Sequence, residues 1–177
     1  MESTDVLVIG SGIAGLCAAI EAARTGATVT VASAGKTMSG SSFFPGTWGL
    51  GLIGPVNEDD EQDLIDTILA VGGGVADPEL VQAFVHGIPQ AIDWLEQDLG
   101  VELQRPQSAK SAQQKQFIPC FDHKTRMWRG LTRKPLEDAL TTWIESLGIR
   151  LLPRHELIDL VEDTNGRITG TVLYDLT

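Results

Sequence analysis

The stretch DVLVIGSGIAGLCAAIEAARTGATVTVAS, from Asp5 to Ser33, decides the fold of this chain. A short apolar run leads into a Gly-x-Gly-x-x-Gly turn, then a run of small residues typical of a helix, then a second apolar run. Gly10 permits a tight turn out of the first strand, and Gly12 lets a bound group approach the backbone. Gly15 lets the helix pack closely on the sheet. This order of elements predicts a unit that binds the pyrophosphate of a dinucleotide.

The start of the helix at this turn supplies the chemistry, because its free N–H groups and positive dipole end favour an anion. We expect a Rossmann-like α/β fold with a parallel sheet. An alternative is a glycine-rich α/β turn that holds no ligand, but the strand–turn–helix–strand context favours binding. The predicted cofactor contacts are Gly10, Ser11, Gly12, Ile13, Ala14 and Gly15.

Composition narrows the classes of partner. The 177-residue chain has a formal net charge of −11, which argues against nucleic acid as a partner. Eight of its 13 Lys and Arg residues lie between Arg105 and Lys134, and this basic stretch is either a solvated loop or a contact for an anionic cofactor or substrate. Cys17 and Cys120 have neither disulfide nor metal spacing. Since there is no signal peptide and no run of 18 apolar residues, we expect a cytoplasmic protein without direct membrane insertion. No grouping of His, Cys, Asp and Glu has convincing metal spacing, so we expect no metal site.

Hydrophobic periodicity and capping residues predict the other elements. The glycine-rich segment Ser33–Gly54 is expected to be an irregular functional loop. Pro89 is expected to begin a new helix rather than to lie inside one. The remaining predictions are strands at Asp5–Ile9 (buried on both faces), Thr28–Ala32, Val101–Leu103 and Ile149–Leu152, helices at Ile13–Thr25, after Glu58–Glu61, from Asp77-Pro78 and from Pro135 to Gly148, and a hairpin of His155–Asp163 with Arg167–Asp175.

Four parts of the sequence together carry a family resemblance: the glycine turn after Asp5, the Ser-Gly-Ser-Ser run at Ser39–Ser42, DLIDTILAVGGGVADPELVQAFVHGIPQAIDWLEQDLGVEL at Asp63–Leu103, and the ending GIRLLPRHELIDLVEDTNGRITGTVLYD. They resemble the flavoprotein family that includes L-aspartate oxidase and the flavoprotein subunits of fumarate reductase and succinate dehydrogenase. The resemblance implies a Rossmann-like FAD-binding domain with a parallel sheet and a β-meander. It also implies hydride transfer between FAD and a dicarboxylate or similar small-molecule substrate.

In such a domain the serine-rich loop reaches the FAD phosphates and the flavin ring. Trp48 lies in this proposed flavin loop, where it either packs near the ring or anchors the loop. His123 is either a proton shuttle or a solvated histidine, and no catalytic residue is assigned. The further predicted cofactor contacts are Ser33, Ala34, Ser39, Gly40, Ser41, Ser42, Trp48 and Gly49.

The chain departs from the family pattern in two chemical respects, one at the ribose side of the cofactor and one at the flavin and substrate side. Family members place an acidic residue at the end of the second strand, where this chain has Ser33. With Lys36 nearby, Ser33 also suits the alternative of an NADP-linked dehydrogenase half. The histidine that attaches flavin covalently in some members has no counterpart, since the first histidine is His86, and we expect non-covalent FAD. The substrate-side glutamate of L-aspartate oxidases is absent from CFDHKTRMWRG, which argues against aspartate as substrate.

Extent is the third departure. Family members continue into a cap domain and a final FAD-contacting segment, which carry most substrate-binding residues. We therefore expect residues 1–177 to be the amino-terminal portion of an FAD-binding domain. A second expectation is a non-catalytic nucleotide-binding subunit that a partner chain completes.

Overall fold

The computed structural model describes residues 3–44, 49–106, 117–118 and 122–177, and divides the chain into two compact units. The first unit comprises residues 1–48 and 137–177, and the second comprises residues 49–136. Each unit has its own sheet, so the two are described separately. Among the described residues, no helix is long and apolar enough to cross a membrane.

A three-stranded parallel sheet organises the first unit. Its strands are β1 (Val6–Ile9), β2 (Val29–Ser33) and β7 (Arg150–Pro153), in the order β1-β2-β7. Helix α1 (Ile13–Arg24) connects β1 to β2, as a crossover between parallel strands requires. The core of this unit comes from α1, β2 and the last helix, with Leu16, Ile20, Val31, Leu140 and Ile144 buried.

The end of α1 follows the sequence prediction closely. Gly26 adopts φ 92°, a left-handed conformation, and its N–H donates to the carbonyl of Ala23. The prediction that β1 is buried on both faces is wrong at Ile9, which is 46% exposed. Ile9 is the last residue of β1, where the chain leaves the sheet for the glycine turn, and the rest of the strand is only half-buried.

The carboxyl end of the first unit is an antiparallel hairpin. Strands β8 (His155–Glu162) and β9 (Ile168–Asp175) pair, and the turn between them is closed by the Asp163 carboxylate accepting two backbone N–H groups. The predicted hairpin is thereby confirmed, and this pair represents the predicted meander among the described residues.

Helices dominate the second unit. Helices α2 (Glu58–Val71) and α3 (Pro78–Asp93) pack together, and α3 continues into a π-helical turn at Trp94–Asp98. Their contact buries Leu64, Ile65, Val81, Val85 and Ile88. The other elements are β3 (Gly49–Gly54) paired antiparallel with β6 (Met127–Thr132), β4 (Phe117–Ile118) paired with β5 (Asp122–Thr125), and α4 (Arg133–Ser146), which runs on into the first unit.

Polar caps start both helices of the pair. The Asn57 side chain accepts from the Asp60 N–H, and the Asp77 side chain accepts from the N–H groups of Glu79 and Leu80. The acidic cluster Glu58–Glu61 therefore forms the first turn of α2 instead of preceding it. Its negative charge complements the positive end of the helix.

Three predicted elements in this unit are wrong. The glycine-rich loop gives way to strand β3 from Gly49, because Gly51 leaves the space that the Trp128 ring fills: a Cβ there would lie 2.8 Å from Nε1. Pro89 lies inside α3. Residues Val101–Leu103 form no strand, although the adjacent Gln104 exchanges two backbone hydrogen bonds with Gly130.

Candidate functional site

The turn between β1 and α1 has the geometry expected of a pyrophosphate cradle. Gly10 adopts φ 106°, and its N–H donates to the Ala32 carbonyl at 2.7 Å, which ties the turn to β2. Gly12 is the extended residue before α1, and no side chain caps the helix in this described segment. The first turn contains no acidic residue. The positive end of α1 is therefore available to an anion.

Two glycines of the turn have different structural roles. A Cβ at Gly15 would overlap the carbonyl oxygen of Gly10, so the close approach of α1 to the turn requires glycine at this position. A Cβ at Gly12 would lie 3.5 Å from the Ser39 carbonyl oxygen, which is an ordinary contact. The fold therefore needs glycine at residue 15, whereas a Cβ at residue 12 would be accommodated with an ordinary contact to the serine-rich segment.

Three serine side chains meet beside this turn. Ser11 Oγ donates to the Lys36 carbonyl at 3.0 Å, and Ser39 Oγ lies 3.4 Å from Ser11 Oγ and 3.5 Å from Ser33 Oγ. Ser11 and Ser33 are buried, with 2% and 7% exposed. We call Ser11, Ser33 and Ser39 the serine cluster. It lies at the carboxyl edge of the parallel sheet, where α/β folds bind ligands.

The serine-rich segment runs directly over the turn. A Cβ at Gly40 would lie 3.7 Å from the Gly12 Cα, so the two backbones come close. Met38 has φ 55°, an unusual conformation for a bulky residue, immediately before Ser39. The segment then forms a short 3₁₀ turn, Ser41–Phe43, anchored by the buried Phe43 side chain.

The structure brings most of the predicted contacts together and leaves some apart. The glycine turn, the serine cluster and Gly40 are adjacent, and Ala34 lies exposed just after β2. Trp48 lies outside the described residues. Gly49 begins β3, where its backbone pairs with Thr132 in the second unit.

The sequence left two interpretations of the basic stretch, a solvated loop or a contact for an anionic cofactor or substrate. At Arg126 the first of these is wrong. This side chain is fully buried and pairs with Asp60 and Asp63. Arg105 makes a two-pronged pair with Glu96, at 2.7 and 2.8 Å. Arg105 and Arg126 therefore pair with carboxylates of the second unit. Sequence spacing gave no signal for the Arg126 pairs, whose members lie more than 60 residues apart.

Other candidate chemistry is limited. Burial raises the pKa of the Cys17 thiol, which suits a small hydrophobe within α1. No group of His, Cys, Asp and Glu within the described ranges could hold a metal ion. His123 belongs to β5, and its side chain lies outside the part described.

An apolar cavity of about 660 Å³ lies in the second unit, between β3, α2 and α3. Nearly all of its wall is apolar, and Thr67 is among the residues that line it. Sequence reasoning missed this cavity. The signal available was the excess of apolar residues on α2 and α3 over what the contact between the two helices buries, including the 62% exposed Phe84.

Known proteins are similar over nearly the whole chain. L-aspartate oxidase of Halobacterium salinarum is 36% identical over 182 residues, which cover 97% of this chain and 32% of that protein. The 8-methylmenaquinol:fumarate reductase flavoprotein subunit of Wolinella succinogenes is 31% identical over 185 residues, covering 99% of this chain and 28% of the subunit. The chain thus spans about a third of the length of the curated relatives it matches.

Solved structures and a family profile extend the comparison. The 3-ketosteroid-delta4-(5alpha)-dehydrogenase of Rhodococcus jostii RHA1, solved with 4-androstene-3,17-dione, superposes with a TM-score of 0.74 at 25% identity. The match covers 98% of this chain and 42% of that enzyme. The profile of the FAD binding domain family matches residues 5–177. The chain therefore belongs to the FAD binding domain family.

Proposed function

We propose that residues 1–177 are the FAD-binding portion of a flavin-dependent oxidoreductase of the fumarate reductase and succinate dehydrogenase type. The observation that carries this proposal is the uncapped start of α1 at the glycine turn, in a chain matched from residue 5 to 177 by an FAD-binding family. FAD is the cofactor of that family.

The residues present fit the cofactor. The N–H groups of Gly12, Ile13 and Ala14 are the donors we assign to the pyrophosphate, since the first N–H groups of a helix have no intrahelical acceptor. No Asp or Glu occurs in residues 22–57, so the turn and the serine-rich segment carry no carboxylate that would repel phosphates. The first histidine is His86, which favours non-covalent binding.

Bound FAD would supply the hydride-transfer chemistry. The role we assign to this chain is to hold the cofactor by its pyrophosphate and adenosine end. We assign to Ser41 and Ser42, in the 3₁₀ turn that follows Gly40, further contacts along the cofactor. We propose a dicarboxylate-like substrate and a partner chain because the relative from Wolinella is named as the flavoprotein subunit of a fumarate reductase.

The test is the visible absorbance of the purified chain after incubation with FAD and removal of free flavin, compared with Gly12→Ala. The added methyl meets only an ordinary contact with the protein but lies where the pyrophosphate must approach. We expect the wild type to bind flavin that acid releases, and Gly12→Ala to bind at least about tenfold more weakly.

Gly87→Ala is the matched control. A Cβ there meets nothing within 4 Å, and alanine favours the helix, so FAD affinity should remain that of the wild type. A wild-type chain that takes up no FAD would refute the proposal. Tighter binding of NADP than of FAD would replace it with an NADP-linked dehydrogenase.

A further inference from the structure

Helix α3 carries apolar side chains on two faces. One face, with Val81, Val85 and Ile88, packs on α2 in the core of the second unit. The other face is exposed, since Leu80 and Phe84 are 69% and 62% exposed. A helix at a protein surface needs only one apolar stripe to cover the core. The second face of α3 is therefore left uncovered within the described part of the chain.

This second face forms one wall of the apolar cavity between β3, α2 and α3. Residues of α3 with its π-helical turn, and residues of α2, line the cavity at helical spacing, including Phe84, Ile88 and Leu95 from the first and Leu64, Ile68 and Val71 from the second. Because Phe84 and Val71 are exposed, the cavity opens to the surface as a groove, which we call the α2–α3 groove. At 1.5 Å per residue, the row from Phe84 to Leu95 is about 16 Å long, or about three helical turns. A groove of this length suits the apolar face of one helix, whose anchors recur every three or four residues.

The elements that form this groove carry charge of one sign. Residues 49–104 contain twelve Asp and Glu residues and no Lys or Arg. Arg105 and Arg126 come from outside this stretch and pair with Glu96, Asp60 and Asp63, and they offset only part of the charge. A negative field attracts a cationic partner and speeds its encounter with the surface. It therefore favours a basic occupant of the groove over a second copy of this acidic chain.

We propose that the α2–α3 groove binds a basic amphipathic helix of a partner chain. The apolar face of that helix fills the groove, and burial of apolar surface supplies the affinity. Its Lys and Arg residues interact with the negative field of the unit, which selects the partner. The inference rests on the proposed partner chain but not on FAD binding, because the groove belongs to the second unit and the glycine turn to the first.

The probe is a fluorescent model peptide of about 15 residues, with Leu on one helical face and Lys on the other. Its binding to the 177-residue chain is measured by fluorescence anisotropy. Ala91 is exposed and lies in the wall of the groove, so Ala91→Lys puts a cation where an apolar side chain must enter. This variant should bind the peptide at least about tenfold more weakly than the wild type. Phe84→Ala removes an apolar contact and should weaken binding about fivefold.

Gln82→Lys is the matched control, because it adds the same charge to the same helix outside the groove. Gln82 is exposed and lies nine residues from Ala91, or about two and a half turns, which places it on the opposite side of α3. It should change the affinity by no more than about twofold, because salt screens an exposed charge. Equal losses for Ala91→Lys and Gln82→Lys would show that the peptide is attracted to the charge of the unit without entering the groove, and would overturn the inference.

Three further results would also overturn it. One is no binding of the Lys peptide to the wild type, and another is equal binding of a peptide in which Glu replaces Lys. The third is a dimer of the chain, seen by sedimentation velocity, that Phe84→Ala dissociates, because the occupant is then a second copy. FAD uptake, measured in parallel, should be the same for every variant. If the wild type binds the peptide as expected but takes up no FAD, the proposed cofactor fails while the assignment of the groove stands.

Discussion

Each of the two units is stabilised internally by a different kind of interaction. In the first, the key contacts join backbone atoms around the glycine turn: Gly15 packs on the Gly10 carbonyl, and Gly10 donates to Ala32, 22 positions away. In the second, the most deeply buried polar side chain is Arg126, whose guanidinium reaches back more than 60 residues to Asp60 and Asp63. The first unit depends on glycines, whose lack of a side chain allows close backbone contacts, whereas the second depends on a buried charge.

This difference explains why the first unit could be predicted from the sequence more closely than the second. Glycine requirements recur at a fixed spacing because they arise from a local turn. An ion pair between distant residues leaves no spacing signal, and the same arginine is equally consistent with a solvated loop. Substitutions in the two units should therefore have different costs, and three of them sharpen the comparison.

The largest expected effect is that of Arg126→Ala on the free energy of unfolding. Removing the buried guanidinium leaves the Asp60 and Asp63 carboxylates without their cation, and such losses cost about 3–5 kcal/mol. Since Asp60 and Asp63 keep 16% and 36% of their side chains exposed, water compensates in part. We therefore expect about 3 kcal/mol, measured by urea denaturation with far-UV circular dichroism.

Arg105→Ala is the control for this substitution, because it removes an arginine whose side chain is 54% exposed. An exposed pair of this kind contributes about 0.2–1 kcal/mol. Equal losses for the two variants would contradict the view that a buried charge cluster holds the second unit.

An intermediate effect is expected for Gly15→Ala in the first unit. The new methyl would overlap the Gly10 carbonyl, so α1 must shift away from the turn, and overpacking of this kind costs about 1–3 kcal/mol. The same denaturation experiment measures it. Gly12→Ala, with only an ordinary contact to accommodate, should unfold like the wild type, and a loss equal to that of Gly15→Ala would show that the two glycines share one structural role.

The sequence predicted the first unit nearly to the residue, for physical reasons visible in its structure. The helix begins at Ile13 as predicted, because the turn fixes its start, and it ends at Arg24, one residue early, before the left-handed Gly26. The hairpin β8–β9 was equally clear from its Thr-Asn-Gly turn. What spacing could not give was the meeting of Ser11 and Ser33 with Ser39, since hydroxyls make no periodic pattern.

Prediction failed in the second unit where packing overrode local preference. Pro89 lies within α3, and the helix runs past it because Ile92, one turn beyond Ile88, still packs against the apolar cluster shared with α2. Glycine lowers strand propensity, yet the segment from Gly49 pairs with β6 and accommodates Trp128. Both outcomes depend on neighbours that lie far away in the sequence.

The smallest expected effect is a pH dependence in the second unit. Hydrogen bonds from Arg105 lower the pKa of Glu96 below its usual value. A carboxyl group whose folded pKa is depressed adds stability above its unfolded pKa, about 4.3, and loses it as the pH falls through the folded pKa. Because the pair is partly exposed, the contribution should not exceed about 1 kcal/mol.

The comparison of wild type with Glu96→Gln at pH 7 and pH 3 isolates this contribution. Glutamine keeps the size and one acceptor oxygen but cannot ionise, so its own loss of stability on acidification should be smaller than that of the wild type by up to about 1 kcal/mol. Salt should reduce the difference, because charges at a surface are screened. A gap that instead exceeds the cost of Arg105→Ala at pH 7 would mean that Glu96 also balances a second cation. Arg129 is then the residue to change next, since its charge also lowers the Glu96 pKa.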